Sequence, residues 1–323
     1  MLSRASGVAY LHSTLPERWA QAARWFRRAE ELGLQGLSFR LNDFRERGYQ
    51  EVRDRIAASK GMLDKRNFDA AKQPLLAIQS AWAHDAGLRE QIGRAMAAIL
   101  VAEILAYERQ KDYARLKQAA RLLRTTYPGL YREEDIFAPY ANAMRQSGNW
   151  GPAGSLMNDE WSWEGKGKTD VEPPALDETK ATRGLRLKPN RSIELSPVTA
   201  RGATGASVEL SVATSFSSYG VGFKFDASSK DGKYKKLLLR DSGEVVLYEV
   251  DGVNEKPIAT GSTGKKPAAG QWIELAYVAE GGDIACFVAE RPVLLASAPV
   301  PTDRTMGFWA SAEANFRLLR LRK

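Results

Sequence analysis

Two histidines, His12 and His84, are the whole supply of that side chain, and neither has a serine, cysteine or carboxylate partner at the spacing of a triad or a metal site. Both lie in the first half of the chain, so the second half has only carboxylates, lysine and tyrosine for proton transfer. Glycoside chemistry runs on paired carboxylates, yet Glu194, Glu209, Glu244, Glu249 and Glu274 stand singly in alternating stretches and read as solvent-facing strand positions. Asp231, Asp241 and Asp251 read as turn formers. No catalytic residue is assigned on this basis. Flat rings offer a different chemistry, because the apolar face of a sugar packs on an aromatic ring. Tyr219, Tyr234 and Trp309 are the candidate ligand contacts, with Tyr248 and Trp272 as further rings. Tyr219, beside two serines and a glycine, is the best-exposed candidate, whereas Trp272 and Trp309 read first as core residues.

The remaining motifs carry less. Ala259 to Lys266 resembles a phosphate loop only in its Gly264-Lys265 pair; alanine holds the first glycine position and lysine the Ser/Thr position, so a solvated loop over Ala259–Gly270 is expected. The single cysteine, Cys286, allows no internal disulfide and reads as a small apolar strand residue. No metal site is assigned and no cofactor is implied. Basic residues cluster at Arg24, Arg27 and Arg28 and again at Arg115, Lys117, Arg121 and Arg124. They oppose the apolar stripe of their helices, so Arg24, Arg28, Arg121 and Arg124 are the candidates for an acidic protein partner. Nucleic acid is not expected, since no recognised motif accompanies the charge.

The elements that must position these residues change character midway. A chain of 323 residues, 44% apolar and 27% charged, suggests two ordinary domains. The net charge of +8 lies almost entirely in the first half. From Pro16 to about Gln146 the pattern is helical, with Thr14 and Glu17 placed as a capping box and Gly33 as a stop. Trp19, Ala22, Phe26 and Ala29 share a 3-4-3 spacing with Phe68, Ala71, Leu75 and Ile78 and with Tyr113, Leu116, Ala120 and Leu123. Ile56–Leu63 and Ile92–Tyr107 are expected as the helices preceding the second and third of these, and Glu134–Gln146 as a final one.

Residues 151–180 read as a linker, with a first strand placed near 160–164 by Trp161 and Trp163. Alternating strands follow: Leu185–Leu187, Ser192–Leu195, Ala206–Ala213, Gly220–Asp226, Tyr234–Arg240, Glu244–Val250, Gln271–Glu280, Asp283–Ala289, Val293–Leu295, Met306–Ala310 and Ala314–Leu321. Gly281-Gly282 is hairpin chemistry, and Arg291-Pro292 is expected to break the chain between strands. In the closing strand, Phe316 and Leu318 are expected on one face and Arg317, Leu319 and Leu321 on the other.

The helical spacing, with an aromatic, small residues and Pro128 after the third copy, resembles the second helix of a tetratricopeptide repeat, although the aromatics lie farther apart than the roughly 34-residue period. The Trp-aliphatic hairpin, the Gly-aromatic strand and the Phe-Arg-x-Leu-x-Leu string from Phe316 to Leu321 resemble the concanavalin A-like lectin/glucanase superfamily, nearest to laminin-G-like modules and bacterial 3-keto-disaccharide hydrolase-like domains. The implied architecture is an all-α helical-repeat domain over 1–150, the linker, and an antiparallel β-sandwich, a concanavalin A-like jelly roll, over 181–323. The resemblance implies an interaction protein, with helices for a protein partner and a sandwich for carbohydrate or protein. A calcium ion, as in laminin-G modules, has no placed site. The alternatives are a saccharide-acting enzyme or the C-terminal part of a larger protein. No apolar run is long enough to span a bilayer. With no signal peptide visible, a cytoplasmic location is expected, or an exported one if an upstream segment is missing.

Overall fold

The computed structural model of the chain describes residues 18–33, 38–80, 82–83, 85–152, 163–164, 171–172, 185–187, 189–195, 202–212, 220–225, 233–298 and 306–323. It divides into two compact units at Tyr140/Ala141. The first contains helices α1 (Arg18–Glu31), α2 (Ser38–Asp64), α3 (Phe68–Gln79), α4 (Ala86–Gln110) and α5 (Tyr113–Thr126) and the start of α6 (Glu133–Gln146). Asn67, Asp85 and Asp112 cap α3, α4 and α5 with side-chain oxygens that accept first-turn N–H groups.

The 3-4-3 spacing is the buried stripe of its helices. Ala22, Phe26 and Ala29 on α1, Ala71, Leu75 and Ile78 on α3, and Leu116, Ala120 and Leu123 on α5 are all fully buried. Consecutive helices from α1 to α5 pack on each other, and α2 also touches α4. Sequence reasoning recovered only the last third of α2, which extends back to Ser38. Part of the reason is Gly48: a Cβ there would stand 2.2 Å from the buried Trp82 indole, so a helix-weakening residue is what lets that ring pack. Between α3 and α4, Lys72 forms an ion pair with Glu103 at 2.6 Å, and within α4 Tyr107 donates to the same carboxylate at 2.9 Å. The stretch holding Thr14, Pro16, His12 and His84 lies outside the described residues.

The second unit is built on two seven-stranded antiparallel sheets. The first runs β1 (Trp163–Glu164), β4 (Arg191–Leu195), β13 (Met306–Ala310), β6 (Gly220–Phe225), β7 (Lys233–Arg240), β8 (Glu244–Asp251) and β9 (Asn254–Ser262). The second runs β12 (Arg291–Ser297), β11 (Asp283–Val288), β10 (Ile273–Glu280), β5 (Gly205–Val212), β14 (Ala314–Arg322), β3 (Leu185–Leu187) and β2 (Val171–Glu172). Inward residues of both sheets, among them Val208, Phe223, Leu237, Leu247, Leu275, Phe308 and Phe316, form one core. Its rings stack, Phe225 on Tyr277 at 4.2 Å and Phe308 on Phe316 at 4.6 Å. Cys286 sits in this core, and burial alone pushes its thiol pKa well up.

Three expectations need correcting. Alternation fails in β14, where Leu318 takes a positive φ of 54° and the register slips between Arg317 and Arg320. This bulge turns Leu319 into the core beside Phe316. Ala259–Ser262 is not loop but the end of β9. Gly261 is required there because a Cβ would stand 1.8 Å from the Val293 carbonyl oxygen, where the edges of the two sheets meet. Arg291-Pro292 begins β12 rather than interrupting the hairpin; the turn is Ala289-Glu290, with φ of 47° and 68°.

The stop at Gly148–Pro152 also joins the sandwich. Trp150 bridges Arg322, Gly151 donates to the Leu321 carbonyl at 2.8 Å, and Lys323 donates to that of Asn149 at 3.1 Å. The Arg322 guanidinium is buried and donates to Glu280 at 2.9 Å.

Candidate functional site

Strand alternation sends a second set of residues out of the first sheet, away from the shared core. On β7 these are Tyr234, Lys236, Leu238 and Arg240, and on β8 Glu244, Val246, Tyr248 and Val250. Leu238, Val246, Tyr248 and Val250 form a separate buried apolar patch, against which Tyr234 and Trp309 pack. Register explains how residues distant in sequence meet there. Trp309 on β13 opposes Gly222 on β6, Gly222 opposes Leu238, and Leu238 opposes Val246. A Cβ at Gly222 would come within 2.0 Å of the Leu237 carbonyl oxygen and 3.0 Å of a Leu275 methyl, so the row has no room for a side chain there.

The next row sets Lys224 of β6 directly against Lys236 of β7. Like charges in that relation repel, and the face answers with rings and an acid. Lys224 Nζ lies 4.5 Å over the Tyr234 ring, and Lys236 Nζ lies 4.3 Å over the Trp309 ring. Lys236, almost completely buried, also donates to Glu255 of β9. At the β7–β8 turn, Arg240 donates to Glu244 at 2.7 Å and to the Tyr248 hydroxyl.

Of the three ring residues singled out from the sequence, Tyr234 and Trp309 therefore share this face, and Tyr219 lies outside the described residues. Trp309 and Trp272 do not join the core between the sheets. Trp272 is half-buried with the Arg317 guanidinium 4.0 Å over its ring. The residues that sequence reasoning passed over are Lys224, Lys236, Arg240 and Glu255. The signal for them was present in the alternation of β7, Tyr-x-Lys-x-Leu-x-Arg, which places an aromatic, two cations and an aliphatic on one side.

Three of the other acids, Glu209, Glu274 and Asp251, are engaged in pairs. Glu209 accepts from Arg317 at 2.6 Å, and Glu274 accepts from Arg145 at 2.9 Å and from Ser207 at 2.6 Å. Glu249 is exposed, Asp251 pairs with Lys233 at 3.2 Å, and Glu194 stands by register opposite Gly307. Asp231 lies outside the described residues. Among the described residues no group of three or more His, Cys, Asp or Glu gathers as a metal site, and no helix is long and apolar enough to cross a membrane.

The four arginines proposed for a partner divide into two kinds. Arg24 is exposed, and Arg28 forms an exposed pair with Glu31 at 2.9 Å. Arg121 instead donates to the Tyr140 hydroxyl at 3.2 Å, while Arg124 pairs with Glu133 at 3.1 Å and lies 5.8 Å over the Tyr140 ring. That second pair braces α5 against α6.

No family description matches the chain, and no curated protein matches it. Several solved structures do so weakly. The carbohydrate-binding module CBM66 from Bacillus subtilis is 14% identical, with 49% of this chain and 94% of that one covered at a TM-score of 0.38. Domain 4 of a GH43 extracellular arabinanase from Geobacillus stearothermophilus, in complex with arabinotriose, is 13% identical over 55% and 82% at 0.35. A Bacillus licheniformis beta-glucanase is 12% identical over 55% and 97% at 0.38. At these values the likenesses carry no argument about a ligand or an activity, and the sandwich stands on its own strand pairing.

Proposed function

We propose that the protein is a non-catalytic binding protein, whose sandwich takes a saccharide on the outer face of its first sheet and whose helices serve a protein partner. The observation that carries the first half is the gathering of the partly exposed rings Tyr234 and Trp309 with Lys224, Arg240, Glu244 and Glu255 around the buried Leu238, Val246, Tyr248 and Val250 on one sheet face. Rings supply flat apolar contact, and fixed polar groups at their edges set orientation. A saccharide-acting enzyme would need closely set, unneutralised carboxylates on that face. Its centre holds Leu238, Val246 and Val250, and Glu244 and Glu255 are each held by a cation, which supports the binding reading.

The helical half rests on less. The buried 3-4-3 stripes and the α2–α4 contact are those of stacked helix pairs, in keeping with a degenerate tetratricopeptide-like array. Exposed Arg24 and Arg28 are the residues left to meet an acidic partner.

The test is a glycan array with the full chain, with and without calcium, comparing wild type with Trp309→Ala and Tyr234→Ala. Specific binding that weakens at least tenfold in both variants, with thermal stability retained, is the expected result. Binding that both variants keep would move the site elsewhere.

A further inference from the structure

A second charged cluster lies on the outer face of the other sheet, where the end of α6 and residues 147–152 belong to the same compact unit as the strands. Leu275 and Tyr277 of β10 and Cys286 and Val288 of β11 point into the core, so Glu274 and Phe287 point out. Arg145 reaches over both. Its guanidinium lies 5.2 Å from the centre of the Phe287 ring and 6.0 Å from that of Trp150, 2.9 Å from Glu274 and 3.7 Å from Glu290. Rings and carboxylates around one cation make a cage suited to a guanidinium group. We infer that Phe287, Glu274 and Glu290 are a binding site for an arginine carried by an extended partner peptide, and that the chain's own Arg145 closes this site as a latch.

The latch fills its cage incompletely. Arg145 Nη1 is buried with no hydrogen-bond partner, and the 3.7 Å to Glu290 is too long for a hydrogen bond. A buried donor left unmade is unfavourable. The backbone is the cause, since the Arg145 carbonyl accepts from the Trp150 indole at 2.9 Å and so fixes where the side chain starts. An arginine on a separate segment has no such tether and can set its fork on both carboxylates. The strap beyond Arg145 is lightly held too. Gly151 donates to the Leu321 carbonyl at 2.8 Å and Lys323 to that of Asn149 at 3.1 Å. Beside them the Arg322 Nε is buried without a partner against Gly148, where a Cβ would stand 1.9 Å from that nitrogen.

Phe287 is fully buried while the latch is closed. Once the strap lifts, the ring is uncovered, and the Leu321 carbonyl and Lys323 N–H are left open at the end of β14, where an extended peptide can add as a strand. The emptied cage holds two carboxylates. Ser207 still donates to Glu274 at 2.6 Å, and Glu209, directly opposite Glu274, is neutralised by Arg317. Its charge selects a cation, and the flat Phe287 ring favours a planar guanidinium over an ammonium.

The experiment measures the fluorescence anisotropy of a labelled Gly-Ser-Arg-Ser-Gly peptide, and of the same peptide with neutral citrulline in place of arginine, against the full chain. Wild type, Arg145→Ala, Gly148→Ala and the double variant Arg145→Ala, Glu274→Gln are compared, with a thermal melt of each. Binding of the arginine peptide at least tenfold tighter to Arg145→Ala than to wild type, absent with citrulline and abolished by Glu274→Gln, is the expected result. Gly148→Ala lifts the strap and leaves every cage residue in place, so it shows a gain of the same sign and carries the test if Arg145→Ala does not fold. Hydrogen exchange at Gly151 and Lys323 should also quicken in Gly148→Ala, while the β5–β10 amides stay protected. Equal affinity for the two peptides, or no gain over wild type in either single variant, would overturn the inference. The saccharide reading of the first sheet is untouched by either outcome.

Discussion

Gly222 and Tyr107 each show how one position can be tied to a measurable property. A methyl group at Gly222 would meet a backbone oxygen at 2.0 Å, and backbone in mid-sheet cannot swing aside as a side-chain tip can. Gly222→Ala should therefore cost about 1–3 kcal/mol of sandwich stability, read as a lower urea midpoint. Tyr107 responds to pH instead. Burial first, and then its hydrogen bond to Glu103, push its phenol from 10.0 up to about 12. A raised value means that the folded state holds the proton more tightly than the unfolded one, so this contribution is complete below pH 10.0 and is lost as pH rises toward about 12. Urea midpoints measured across that window should fall more steeply in wild type than in Tyr107→Phe; parallel curves would remove Tyr107 as the source.

At the scale of elements, the hairpin between β11 and β12 is built against its residue preferences. Two-residue turns with both φ positive favour Asn-Gly, and Ala289-Glu290 adopts that shape without either residue. The double substitution Ala289→Asn, Glu290→Gly should raise stability by about 1 kcal/mol, seen as a higher melting temperature. The sheet edges are built more cautiously, with Pro257 in β9 and Pro292 in β12 blunting the strands that end each sheet. Such elements were legible wherever alternation or a helical stripe was regular, and the Gly281-Gly282 turn was read directly from its two glycines. The misses share a physical cause. Leu318 and Gly261 serve a bulge and a close edge-to-edge approach, both tertiary demands that leave no local period. Trp309 was taken for core because a large ring in a strand usually is; its outward placement follows from the phase of β13, where Met306, Phe308 and Ala310 already fill the inward positions.

At the scale of the whole molecule, the sheets join segments far apart in sequence. β5 lies between β10 and β14, and β6 lies between β13 and β7. The candidate site inherits this, since its rings come from β7, β8 and β13 and its acids from β8 and β9. Pairing of residues so distant could not be read from local periodicity, which gives strands without their neighbours. For a nascent chain leaving the ribosome the consequence is one of timing. β5 is made early yet keeps one bare edge until residues 314–322 emerge, and until then the Trp309 side of the candidate face has only just been synthesised. Non-local pairing of this kind is slow and leaves apolar strands open to wrong partners in the interval. The first half of the chain, whose helices pack mainly on their sequence neighbours, is under no such delay. During synthesis it can be a folded companion to a sandwich still waiting for β14.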